Sequence, residues 1–107
     1  MDLGLSGKVA VVTGGSRGLG VAAAQALAGE GCRVVIGARG LTQLNQAADQ
    51  IRARHGRGTK VVAVTCDVST PEGVDHLIET AVVECGGVDV LVNNVGLGRG
   101  GTLEHTT

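Results

Sequence analysis

The chain has 107 residues, nine Lys and Arg against ten Asp and Glu, and no Phe, Trp or Tyr. That length gives one domain with a modest core, burying roughly 65 % of the unfolded surface. A net charge of −1 without an aromatic ring argues against nucleic acid, which needs a basic footprint and stacking platforms, and leaves no charge to attract a membrane.

Residues 1 to 8 read as an entry arm, with Ser6-Gly7-Lys8 turning into the first strand. They hold no long apolar segment, so neither a signal peptide nor a membrane span is expected. Val9-Ala10-Val11-Val12 reads as a strand buried on both faces. A turn with Gly14, Gly15, Gly18 and Gly20 follows. A buried helix then runs over about residues 17 to 28, stopped by Gly29-Glu30-Gly31. Arg33-Val34-Val35-Ile36-Gly37-Ala38 is a second strand. A second helix opens at Arg39-Gly40. Its Leu44, Ala47, Ala48 and Ile51 fall on one stripe, and Arg52, Arg54 and His55 stand at its negative end.

Residues 60 to 66 form the third strand and run into Asp67-Val68. Ser69-x-x-Glu72 predicts a capping box, with Pro71 in the first turn. Val74, Leu77, Ile78, Ala81, Val82 and Cys85 predict the buried stripe of a third helix, ended by Gly86-Gly87. Val88-Asp89-Val90-Leu91-Val92 is the fourth strand, ending at Asn93-Asn94-Val95-Gly96. Residues 97 to 107 have no periodicity and are expected to form a mobile tail. The three cysteines form no C-x-x-C pair, and two of them sit in apolar runs as small hydrophobes, which reads as a reducing compartment, so the cytoplasm is the expected location.

The order βαβαβαβ with short loops implies an α/β fold with a parallel sheet. The Rossmann-type doubly wound order 3-2-1-4 puts the first two helices on one face and the third on the other. Ligands bind such sheets at the carboxyl ends of the strands, where the order reverses. The glycine turn, Arg39, Asp67 and Asn93 to Gly96 each follow a strand and so share that rim. A strand, a glycine turn and a helix start suit a pyrophosphate: glycines admit the anion, and unpaired N–H groups and the helix dipole attract it. The spacing Thr13-Gly14-x-x-x-Gly18-x-Gly20 differs from the commoner G-x-G-x-x-G.

That glycine pattern, with Asn93-Asn94-Val95-Gly96 and Asp67-Val68 between them, closely resembles the short-chain dehydrogenase/reductases, and most of all the 3-oxoacyl-acyl-carrier-protein reductase type. The resemblance implies that Gly14, Ser16, Arg17 and Leu19 line the cofactor phosphates. It implies that Gly18 and Gly20 allow close approach of helix, strand and cofactor. Asp67 and Val68 would contact adenine, and Asn93, Val95 and Gly96 would border the ribose and the path to the nicotinamide. Val95 stands where the family usually has Ala. The bland readings are that Asp67 is a turn residue, that the Asn pair ties loops together, and that Thr13 bonds backbone within its own turn.

A fold selecting NAD places a carboxylate about 20 residues past the glycines, on the ribose 2′-OH. Here Ala38 holds that place and Arg39 follows, which predicts NADP(H) over NAD(H), with Arg39 and Arg17 on the 2′-phosphate. The resemblance implies hydride transfer with a Tyr as general acid/base, assisted by Lys, Ser and Asn, beyond the Asn-Asn segment. The chain has no Tyr, and His55, His76 and His105 are no substitutes. No catalytic residue and no metal ligand is therefore assigned. The chain reads as a truncated single cofactor-binding domain, inactive alone. The strand-four edge is expected to favour self-association or a missing C-terminal half. The alternatives are a stand-alone dinucleotide-binding or sensing module and a degenerate structural domain.

Overall fold

A computed structural model describes residues 4–14, 18–56, 59–93 and 105–106. The elements are β1 (Val9–Thr13), α1 (Gly18–Gly29), β2 (Arg33–Ala38), α2 (Leu41–His55), β3 (Val61–Thr65), α3 (Pro71–Cys85), β4 (Val90–Asn93) and β5 (His105–Thr106). The sheet order is β3-β2-β1-β4-β5. The first four strands are parallel, as the doubly wound reading requires. The two-residue β5 pairs antiparallel with Leu91 and Val92, in a segment whose sequence shows no periodicity.

The period of two along the strands divides the core into two layers. Ala10, Val12, Val34 and Ile36 face α1 and α2, meeting Ala24, Ala28, Leu44, Ala47, Ala48 and Ile51. Val9, Val11 and Val35 face α3, meeting Leu77, Ala81 and Cys85. With no rings available, small side chains fill both layers, and α1 comes close to the sheet on alanines. All five residues of β1 are buried.

The whole predicted stripe of α2 is buried. On α3 the stripe is narrower than its sequence implies. Leu77, Ala81 and Cys85 are buried, whereas Val82 is 50 % exposed, because it sits at the far margin of that stripe. The start of α3 also differs. Thr70, not Ser69, is the N-cap, and its hydroxyl accepts from Gly73 N at 3.0 Å. Pro71 decides this. It suits the first helical position and holds the residue before it extended, as a cap must be, and Thr70 has φ −117° and ψ 151°.

Polar contacts tie the layers at the end opposite the rim. Asp89 Oδ2 accepts from Val9 N at 2.8 Å, while Asp89 N donates to Val9 O at 2.8 Å. This clamp precedes the ladder, so β4 begins at Val90, two residues later than expected. Lys60 Nζ donates to the Glu84 carbonyl at 2.9 Å, putting a cation at the negative end of α3.

Candidate functional site

The register sets Thr13 beside Gly37 on one side and Asn93 on the other, and Ala38 beside Thr65. The carboxyl ends of the four parallel strands are therefore level. Gly14, Arg39, Asp67 and Asn93 leave the sheet from one rim, as the topology predicts.

Gly14 turns the chain off β1 with φ +67°, a conformation that side chains disfavour. Its N–H donates to Gly37 O at 2.8 Å, so the turn starts from a fixed point. Thr13 is 1 % exposed. Its hydroxyl reaches the Asn93 side-chain oxygen at 2.9 Å and lies 3.4 Å from Val92 O. The register brings Asn93 alongside, so this hydroxyl reaches across to the neighbouring strand. Asn93 thus ties the end of β4 to the end of β1.

At the other side of the rim, Cys66 N donates to Ala38 O at 2.9 Å, which holds the start of the Asp67 loop against the end of β2. Ser69 donates to Asp67 Oδ1 from its hydroxyl at 2.5 Å and from its amide at 3.0 Å. The Ser69 hydroxyl and then its amide hold the Asp67 carboxyl below its ordinary pKa against the opposing effect of burial, and the charge of Arg39 adds the least. Arg39 is exposed, and Ala38 beside it is buried and carries no charge. Val68 is half-buried and packs on the α3 layer of the core.

Two glycines set how closely α3 approaches. A Cβ on Gly73 would overlap the Asp67 carbonyl oxygen and lie 2.5 Å from its carbon. A Cβ on Gly37 would lie 2.7 Å from one Leu77 methyl and 2.9 Å from the other. Neither glycine stands out in the sequence: Gly37 meets Leu77 from a distant element, and Gly73 meets Asp67 only once the loop folds back on the first turn of α3. The Thr70 cap was signalled by the Pro after it.

Gly20 is buried within the first turns of α1, and the backbone of Gly18 and Leu19 opens that helix at the rim. Ser16, Arg17, Val95 and Gly96 lie outside the described residues, as do the side chain of Leu19 and most of the expected tail. Among the described residues no group of His, Cys, Asp and Glu could hold a metal ion, and no helix is long and apolar enough to cross a membrane. A cleft of about 220 Å³ on α3, lined by His76, Glu79, Thr80, Val83 and Glu84, lies beyond the first turn of that helix and does not include the rim residues.

The short chain dehydrogenase family profile matches residues 8–107. The chain belongs to this family. Among curated short-chain dehydrogenase relatives, an uncharacterised oxidoreductase of Mycobacterium bovis is 43 % identical over 104 residues, which is 96 % of this chain and 40 % of the relative. Among solved structures, the L-sorbose reductase of Gluconobacter frateurii, complexed with NADPH and L-sorbose, is 47 % identical with a TM-score of 0.83. That alignment covers 90 % of this chain and 36 % of the reductase. Actinorhodin polyketide ketoreductase with NADPH is 38 % identical with a TM-score of 0.76, covering 90 % of this chain and 35 % of that one. The chain thus spans about two fifths of the length of the mycobacterial relative and somewhat less of the two reductases. Its parallel sheet in the order 3-2-1-4 with helices between the strands is the Rossmann-type fold shared with these structures.

Proposed function

We propose that this chain binds the adenosine side of NADP(H) and forms the cofactor-holding part of a reductase or dehydrogenase. The observation that carries this reading is the charge at the end of β2. Buried, neutral Ala38 replaces the carboxylate that would hold a 2′-OH and repel a 2′-phosphate, and exposed Arg39 stands beside it. The residues present fit the group. Gly14 turns away without a Cβ, α1 opens its unpaired amides on the same rim, and Asp67 offers an ionised acceptor to the base. Ser16, Arg17, Gly18, Leu19 and Gly20 complete the phosphate side in this reading, with Val68 at the adenine and Asn93, Val95 and Gly96 along the ribose.

When bound, the nicotinamide supplies hydride to, or accepts it from, a carbonyl or secondary alcohol. This chain's own residues bind and orient. With no Tyr in the sequence, we assign them no proton transfer. The spelling of the two motifs makes a 3-oxoacyl thioester the first substrate to try. NADPH is named with both the sorbose reductase and the polyketide ketoreductase, which supports the cofactor choice. We place the protein in the cytoplasm, on its three free cysteines. We propose the β4 edge, paired over Leu91 and Val92, as the place where further chain or a second copy joins.

The test is Ala38→Asp combined with Arg39→Ala, with the affinities for NADPH and NADH measured by calorimetry. The wild-type chain should prefer NADPH by about tenfold or more, as expected for a charge-assisted contact, and the double substitution should abolish or reverse that preference. An unchanged ratio refutes the assignment.

A further inference from the structure

Asp67 is fixed at both ends by its own neighbours. Its carbonyl accepts from Thr70 N at 3.2 Å and from the Thr70 hydroxyl at 3.0 Å. Its carboxylate accepts twice from Ser69, both times at Oδ1. Among the described residues no donor is bonded to Oδ2. The close passage of Gly73 over the Asp67 peptide keeps the backbone from shifting.

We infer that Ser69 is a positioning residue for base recognition: by holding Oδ1 it leaves Oδ2 as the acceptor for an exocyclic amino group, so the rim selects a 6-amino purine over a 6-oxo purine. This rests on the reading of Asp67 as the adenine contact. An amino group at C6 donates to the carboxylate, whereas a carbonyl there sets two acceptors against each other. Discrimination of that kind is strong where a polar group would otherwise be left facing its own kind. Without Ser69 the carboxylate turns freely, and its ordering must then be met out of the binding free energy. The two Ser69 donors also lower the carboxyl's pKa, so its acceptor-only character extends to more acidic pH.

The experiment compares Kd values for NADPH and for its hypoxanthine analogue, in the wild-type chain and in Ser69→Ala, Ser69→Thr and Asp67→Asn. The wild type should favour the adenine compound by about tenfold or more, as one hydrogen bond to a charged group would give. Ser69→Ala should reduce that preference to about threefold or less while leaving the affinity for the analogue within about twofold, and Ser69→Thr, which keeps the hydroxyl, should restore it. Asp67→Asn, whose amide can donate to a 6-oxo group, should abolish the preference. General loosening of the loop weakens both compounds alike and leaves the ratio unmoved. If Asp67→Asn keeps the wild-type ratio, or the wild type binds neither compound, the adenine reading falls and this inference with it. If Asp67→Asn abolishes the preference and Ser69→Ala retains it, the adenine reading stands and the role of Ser69 is overturned.

Discussion

Replacing Gly73 by Ala sets helix propensity against a tertiary contact, and the two predict opposite signs. Inside a helix Ala is favoured over Gly by about 1 kcal/mol, so propensity alone makes Gly73→Ala stabilising. The added methyl, however, would overlap the Asp67 carbonyl oxygen, and that neighbour is backbone and cannot rotate away. The first turn of α3 must therefore move. Moving it breaks the Thr70 cap to Gly73 N, for a loss of about 1 kcal/mol. It also breaks or stretches the two bonds from Thr70 to the Asp67 carbonyl, for about 1 kcal/mol each. Setting about 3 kcal/mol lost against about 1 gained leaves the variant about 2 kcal/mol less stable. Urea denaturation with an unchanged slope reads this directly as a lower midpoint. A Gly73→Ala protein as stable as the wild type, or more so, refutes the close-approach argument.

Gly37→Ala should destabilise the chain by about 1–3 kcal/mol, because its methyl enters space held by the fully buried Leu77. Combining it with Leu77→Ala should cost less than the sum of the two single changes, and additive urea midpoints would contradict this. Asp89→Ala strips the Val9 amide of its acceptor and should cost about 1–2 kcal/mol, with Asp89→Asn milder since it keeps an oxygen; equal losses for the two would show that the acceptor is not what matters. A carbon-detected NMR titration of Asp67 should have its midpoint below the ordinary aspartate value, moving upward in Ser69→Ala. Because the folded value is the lower one, the associated stabilisation is present above the unfolded pKa and is lost as pH falls through the folded one. A wild-type midpoint at or above the ordinary value would remove the Ser69 bonds from the account.

The features legible in the sequence were those carried by periodicity and by local chemistry. Leu44, Ala47, Ala48 and Ile51 repeat at helical spacing, and all four are buried on α2. Alternation of strands and helices led to the order around β1, and the glycine stops ended α1 and α3 close to where they end. Local competition was harder to read. Ser69 and Thr70 both have capping hydroxyls, and only the steric demand of Pro71 on its predecessor chooses Thr70, which frees Ser69 for Asp67. Val82 has the right spacing but sits at the margin of the buried stripe of α3. Contacts between distant elements were not readable at all. Nothing near Gly37 announces Leu77, 40 positions on, and nothing near Thr13 announces that register will bring Asn93 within 2.9 Å.

The burial of β1 on both faces has a consequence for how the rim fails. This strand is hydrogen-bonded to a neighbour on each side, and its interior residues have no contact with water. Protons on such amides exchange only when the whole domain opens, whereas the outer strand β3 can fray earlier. Gly14 follows directly from β1 and is bonded to Gly37. In the proposed reading the phosphate end of the rim is thus moored to the last segment to let go, while the proposed adenine end at Asp67 hangs from an outer strand, so heating or denaturant should loosen recognition of the base before recognition of the phosphates.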